Sequence, residues 1–263
     1  MATCAGWSVT TTPAPLRHIA SEAQRNAVAE TTSNAALPEM LFATAELKIQ
    51  HGETNATLTF CAQDALKEWA RENAKAPDVP IAAKWQESRR GTAAFDEAKP
   101  PRVYDWTFTT PYAGTLEGGT FQATSSKKIN REMLLARDPI LFYDEVELYS
   151  SELDDTGAVN CSVKVRVMPR CWYVLCRLWL RVDGALVRLR ESRIFCSADD
   201  PKTVVRETTW HEGTPETLAK AGAPSDVRGG ASSPYGDADA TAQALGAVAP
   251  AAVVKHIVES AEL

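Results

Sequence analysis

Side chains able to carry acid–base, nucleophilic or metal chemistry are sparse in this chain. Its four histidines, His18, His51, His211 and His256, have no sequence neighbours that suggest a catalytic triad or a ligand set, so surface or capping roles are expected. The six cysteines, Cys4, Cys61, Cys161, Cys171, Cys176 and Cys196, contain no Cys-x-x-Cys pair. Cys171 and Cys176 have no nearby His, which does not fit zinc spacing, and reduced thiols buried as small hydrophobes in a cytosolic protein are the expectation. A Gly-rich phosphate loop, a Gly-x-Ser-x-Gly elbow and a His-Glu-x-x-His helix are all missing. The acidic cluster Asp144, Glu145, Glu147, Glu152, Asp154 and Asp155 has the residue types for a carboxylate pair or a divalent-cation site. Yet Asp154-Asp155-Thr156-Gly157 has turn chemistry without the ligand spacing of a calcium loop. A solvated acidic edge that discourages strand pairing is favoured. An enzyme using this cluster with a divalent metal is the alternative; the main expectation is a non-enzyme without cofactor or metal.

The second concentration of chemistry is basic and aromatic. Residues 171–182 (CWYVLCRLWLRV) and 185–195 (ALVRLRESRIF) flank Asp183-Gly184, the two-residue turn chemistry of a type I′ hairpin. With Val182 opposite Ala185, the core face holds Trp172, Val174, Cys176, Leu178, Leu180, Val182, Val187 and Leu189. The other face then collects Tyr173, Leu175, Arg177, Trp179, Arg181, Arg188 and Arg190. Lys164, Arg166, Arg170 and Arg193 add to a basic region in which Asp183 and Glu191 are the acidic members. Two readings stand: a solvated face whose Arg stems cover apolar surface, or a groove for an acidic peptide or a chain-terminal carboxylate, which Arg forks bind well.

The elements that must position these groups are mainly strands. At 263 residues, 44% apolar and 24% charged, with a net charge of −6, the chain has an ordinary globular composition, and neither a disordered nor a fibrous protein fits. A mildly acidic chain lacks the overall positive field that drives nucleic-acid binding. No basic region precedes the uncharged first 16 residues, so no signal peptide is expected. The run from Ala240 to Val254 is too short and too polar to span a bilayer. Residues 1–36 read as an N-terminal strand after Trp7 and a helix over Ile19 to Glu30, packing on the body. In the body, 37–212, Val163, Val165 and Val167 alternate with Lys164 and Arg166, the period of a half-buried strand. Residues 57–60, 103–110, 120–124 and 140–149 read similarly. Ala62, Ala65, Leu66 and Trp69 recur at helical spacing and predict a helix over 62–73, with Asp64 in its first turn. Glycines and prolines with few large apolar residues make 213–249 a flexible linker. Pro250 with Val253, Val254, Ile257 and Val258 predicts a tail helix over 250–263. The fold class is α+β: antiparallel β-sheets, sandwich-like, with a few helices outside, a mobile C-terminal linker and a tail helix.

Ordered blocks within the body resemble a known family. Leu37-Pro38-Glu39-Met40 with Phe42, LKIQHG at 47–52, Asp64-Ala65-Leu66, WQESR at 85–89, and YDWTFTT with Tyr112, Gly114 and Thr115 are followed by RDPILFYDEV at 137–146. Glu152-Leu153, SVKVRVMP at 162–169 and LRVDG at 180–184 complete the series. Over about residues 37–207 the chain resembles the TIPRL family of TOR-pathway regulators. The resemblance implies a cytoplasmic phosphatase regulator that binds the catalytic subunit of type 2A-family protein phosphatases and modulates or inhibits it. It also implies antiparallel sheets with outer helices, and a cleft that takes the phosphatase's C-terminal tail. By motif, Asp64 and Ile129 fall on cleft positions, Leu189 replaces a family Met, a volume-conserving swap, and Thr208 stands where the family tends to show Tyr. Joined to the basic face, this gives an expected tail-binding set of Asp64, Ile129, Arg166, Arg188, Leu189 and Thr208, in a protein that is monomeric when free.

Overall fold

The computed structural model describes residues 1–13, 20–32, 37–69, 87–88, 90–92, 107–153, 156–230, 232–246, 248 and 253–263. Two antiparallel sheets face each other. The smaller has five strands in the order β1-β2-β4-β5-β6: β1 (Ala2–Cys4), β2 (Trp7–Thr12), β4 (Glu46–His51), β5 (Thr57–Cys61) and β6 (Thr115–Glu117). The larger has eight, in the order β3-β8-β9-β10-β11-β12-β13-β7. Its strands are β3 (Met40–Leu41), β7 (Gln122–Ala123), β8 (Phe142–Ser151), β9 (Gly157–Met168), β10 (Cys171–Val182), β11 (Leu186–Ser197), β12 (Asp200–Gly213) and β13 (Val253–Glu262). The α+β class with antiparallel sheets and few helices is therefore what the chain adopts.

Alternation in sequence sets the inner faces. Leu47 and Ile49 of β4, with Leu58 and Phe60 of β5, meet Val163 and Val165 of β9 and Trp172, Val174 and Leu180 of β10 in one buried core. Trp7 and Trp172 lock the two sheets edge to face, with ring centroids 5.3 Å apart, and the Trp7 indole donates to the carbonyl of Pro201 at 2.8 Å. Burying such a side chain contributes about 1.5–3 kcal/mol.

Helices lie around the sheets. Helix α1 (Glu22–Thr32) opens with a reciprocal cap in which Gln24 N–H donates to Ser21 Oγ and Ser21 N–H to Gln24 Oε1. Helix α2 (Ala62–Lys67) buries Ala62, Ala65 and Leu66, most of the expected stripe, but it is shorter than the expected 62–73 helix: Glu68 caps its C-terminus and Trp69 lies beyond it; residues 70–73 lie outside the described residues. So do Asp154 and Asp155, most of WQESR, Pro250 and residues 103–106 of the expected 103–110 strand, whose described remainder, 107–110, is not a strand. Helix α3 (Arg131–Leu135) is capped by Asn130, whose side chain accepts from Met133 N–H.

The C-terminal quarter departs from expectation twice. The predicted tail helix is instead β13, paired with β12 from Thr203↔Glu262 to His211↔Val253. Apolar residues at 253, 254, 257 and 258 fit a helix stripe, but on a short segment the unpaired edge of β12 decides the outcome. The predicted flexible linker contains α4 (Pro215–Ala221) and α5 (Ala238–Gly246). Thr214 caps α4, Pro215 stands in its first turn, and Gly222 ends it at φ 83°. Leu218, Val227, Tyr235 and Leu245 from this segment bury Trp179, Val187 and Leu189 on the outer face of the large sheet.

The hairpin also differs, by one residue. Val182 pairs with Leu186 rather than Ala185. Gly184 takes φ 69°, and Ala185 N–H donates to Val182 O at 3.0 Å, so the loop holds Asp183, Gly184 and Ala185. Side chains alternate along a strand, so this slip exchanges the two faces of all of β11 relative to β10. Arg188 and Arg190 turn to the inner side, and Val187 and Leu189 to the outer side.

Candidate functional site

The shifted register places an unusual set of side chains on the inner face of β11–β13. Leu178, Arg190, Trp210 and Lys255 form one cross-strand row, Cys176, Ser192, Thr208 and Ile257 the next, and Val174, Ile194, Arg206 and Glu259 a third. Elsewhere the inner face is apolar and meets the five-stranded sheet. Here, among the described residues, it meets the segment 107–112 and Phe121. The Arg188 guanidinium donates from Nη1 to Thr109 Oγ1 at 2.8 Å and from Nε to Glu212 at 2.6 Å. Cys176 approaches the carbonyl of Tyr112. Arg206 lies over Phe121 at 3.9 Å and holds Glu259 through Nε at 2.9 Å and Nη2 at 2.8 Å.

Charge is unevenly compensated along this face. Burial raises the Glu68 carboxyl above its usual range, against the pull of the nearby Arg206 charge and with the push of Asp64. Asp64 accepts from Thr115 Oγ1 at 2.8 Å and pairs with Lys67 at 3.2 Å. Thr208 shares a hydroxyl hydrogen bond with Ser192 at 3.1 Å. Arg190 is stacked over Trp210 at 4.1 Å, and Lys255 approaches the same ring at 4.5 Å.

The outer face carries a different arrangement. Ile129 lies under α3 with Met133, Phe195 and Val205, and its N–H donates to the buried Glu207 carboxylate at 2.9 Å. Two adjoining hollows of about 420 and 730 Å³ flank it and share Ile129, Arg131 and Glu207 as lining; Tyr173 and Arg193 border one, His256 and Val258 the other. Leu135, at 83% exposure, and Ile140, Leu141 and Tyr143, each above half, are the large exposed apolar side chains of this region. Arg166 stands opposite Tyr143 and Tyr173 and makes no ion pair among the described residues. The other outward cations are engaged. Arg177 holds Glu191 and Asp239, Arg193 holds Glu191, and Lys164 bridges Glu145 and Asp239.

The residues singled out from the sequence therefore occupy both faces. Asp64, Arg188 and Thr208 stand on the inner side; Ile129, Arg166 and Leu189 stand on the outer side. Leu189 is 1% exposed beneath the segment 213–249. The basic, aromatic face read from the hairpin does not exist as one surface, because Arg188 and Arg190 leave it with the register change. Glu68, Arg206, Trp210, Lys255 and Glu207 were missed. The alternation Arg206-x-Thr208-x-Trp210 was their visible signal.

The described members of the acidic cluster are divided between different partners and faces. Asp144 accepts hydrogen bonds from Thr11 and from Glu145 N–H, whereas Glu145 pairs with Lys164 on the opposite face and Glu147 accepts from Asn160. Among the described residues no group of three or more His, Cys, Asp or Glu side chains is placed to hold a metal ion, the cysteines are free thiols, and no helix is long and apolar enough to cross a membrane.

Sequence comparison places the chain among known proteins. The pattern that defines the TIP41-like family matches residues 40–219. A TIP41-like protein of Arabidopsis thaliana is 39% identical over 213 residues, covering 73% of this chain and 71% of the relative. The human TIP41-like protein is 38% identical over 217 residues, covering 81% and 76%. A Saccharomyces cerevisiae relative named type 2A phosphatase activator TIP41 is 34% identical over 198 residues, covering 70% of this chain and 55% of its own length. With the match running through both sheets and α2, α3 and α4, the chain belongs to the TIP41-like family.

Proposed function

We propose that this chain binds the catalytic subunit of a type 2A-family protein phosphatase, through that subunit's C-terminal tail, and modulates its activity. It acts as a monomeric cytoplasmic regulator in TOR signalling, with no catalytic role of its own. The observation that carries the reading is the relationship to a yeast protein named for activating type 2A phosphatases, beside a family match over residues 40–219 that includes β11 and β12. That face supports it physically. An extended peptide needs hydrogen-bonding partners and a few apolar contacts, and Thr208, Arg206, Trp210 and Ile257 supply both beside Asp64 and Glu68. Arg188 shapes this wall from behind. Ile129 and Leu189 act by supporting the sheet from its outer side, and Arg166, without an ion pair, is available to a second part of the phosphatase surface.

The test is calorimetric titration of the chain with a type 2A catalytic subunit, whole and lacking its C-terminal residues. Binding that weakens on removing the tail and in Asp64→Ala supports the inner cleft. Tight binding indifferent to both moves the site to the outer groove, where Arg166→Glu is the discriminating change. No binding ends the reading. A phosphatase assay on the complex gives the sign of the modulation.

A further inference from the structure

Among the described residues, Arg190 is the one inner-face arginine of β11 and β12 whose guanidinium has neither a hydrogen bond nor an ion pair. Its neighbours show what is normal here: Arg188 is satisfied by Glu212 and Thr109, and Arg206 by Glu259. Arg190 has only the face of Trp210, at 4.1 Å. Stacking uses the flat face of the guanidinium and leaves its N–H edge free. The site is also short of negative charge. Burial, with Arg188 next in sequence on the same face, pulls Arg190 down from its ordinary value to about 10. Glu212, the nearest acid to act on it, is already engaged by Arg188. On the far side of the row Lys255 brings a second cation to the same indole, at 4.5 Å. A half-buried, unpaired cation is costly to keep. A structural arginine at this position has acceptors within reach; this one lacks them while its neighbours do not.

We propose that Arg190, with Trp210 as a stacking plate and Lys255 as a flanking charge, is a receptor for one carboxylate of the peptide bound along the inner face of β11–β13. This deepens the phosphatase-tail reading and rests on it. A carboxylate fits better than a phosphoryl group because a single planar fork offers two parallel N–H donors to two oxygens, and the other two arginines of the face, Arg188 and Arg206, are already paired with Glu212 and Glu259. The carboxylate comes either from the free terminus of the tail or from an Asp or Glu side chain within it.

The experiment titrates the full chain with a phosphatase catalytic subunit and with a synthetic peptide of its C-terminal tail, made as the free acid and as the C-terminal amide. Wild type is compared with Arg190→Gln, Arg190→Lys and Lys255→Gln, and thermal stability is recorded for each. The expected result is a loss of affinity of about ten- to a hundredfold in Arg190→Gln, only partly restored in Arg190→Lys, which keeps charge without the fork. Melting temperature should hold or rise, since a poorly compensated cation has been removed. An amide that binds as weakly as the variant assigns the terminal carboxylate; an amide that binds like the acid, with Arg190→Gln still weak, assigns a side-chain carboxylate. Arg190→Gln binding as tightly as wild type, while Asp64→Ala weakens, overturns this site and leaves the phosphatase reading intact. Wild type binding neither subunit nor peptide overturns both. Should the variants not fold, the Arg190 Nε–H resonance of the wild-type chain decides: a shift on adding the peptide supports the site, and an unmoved resonance at saturation rejects it.

Discussion

Arg177 and Glu191 stand directly opposite each other on β10 and β11, and the Arg177 Nε and Nη2 groups both donate to one Glu191 oxygen, at 3.0 and 2.7 Å. The second Glu191 oxygen accepts from Arg193, and Arg177 reaches out to Asp239 on α5. The pair is buried, so its gain over an apolar substitute is modest, but breaking it strands the partners. Glu191→Ala should destabilise the fold by about 3–5 kcal/mol, measured by urea unfolding, because two guanidinium groups lose their acceptor. Replacing Arg177 and Glu191 together by apolar residues should cost much less than Glu191→Ala alone. Equal losses would show that the pair matters for its packing rather than its charge.

Asp239 ties α5 to the sheet. Hydrogen bonding from Arg177 is the largest influence holding its carboxyl below the usual range, with Lys164 adding to it. A lowered folded value means the stabilisation is present above the unfolded carboxylate range and is lost as pH falls through the folded value. Asp239→Asn should therefore lower the melting temperature at neutral pH and make little difference in strong acid, below about pH 3. A deficit that persists unchanged at low pH would assign Asp239 a packing role.

His211 gives a second pH dependence at a higher window. Among the described residues its Nδ1 is buried without a hydrogen-bond partner, and burial, opposed by Glu191 and assisted by Arg193, pushes the imidazole below its ordinary value. The unfolded chain thus binds a proton more readily than the folded one, so stability falls as pH drops below about 6.5. His211→Gln should flatten melting temperature against pH between about 5 and 7. A slope identical to wild type would place the titration elsewhere.

Leu189 and the tail strand test the two segments that lie beyond the body. Leu189→Ala should cost about 2–5 kcal/mol by opening a cavity under Tyr235 and Leu245, whereas Leu189→Met should cost under about 1.5 kcal/mol. Deleting residues 253–263 should lower the melting temperature and promote self-association in light scattering, since the edge of β12 is then bare. A truncated chain that stays monomeric and equally stable would show that β13 is dispensable.

Most of the body was legible because it obeys simple periods. Val163, Val165 and Val167 alternate, β9 to β12 are long, and Ala62, Ala65 and Leu66 mark α2. The errors have specific causes. Asp183-Gly184 signals a hairpin without fixing its loop length, and one residue decided whether Leu189 or Arg190 faced the core. The segment 213–249 looked featureless by composition, yet Thr214-Pro215 and Gly222 are helix start and stop signals, and a few large side chains, Leu218, Val227, Tyr235 and Leu245, suffice to dock it. For β13, the four apolar residues fit a helical stripe and not strand alternation, and the exposed edge of β12 overrides that local signal. The candidate site was the least legible part. Its charge balance depends on which arginines find carboxylates, which is a property of register and not of any local motif.

The position of β13 also has a consequence for synthesis. It completes the large sheet by entering between β12 and β7, strands made earlier and far from each other in the chain. While residues 214–252 are being translated, β12 is a finished but open edge, and the Arg190 and Trp210 row has no Lys255 beside it. A nascent chain therefore passes through an interval in which that edge is most exposed to other strands and the receptor face is incomplete. Chaperone dependence and binding competence should both change once β13 has left the ribosome and paired with β12.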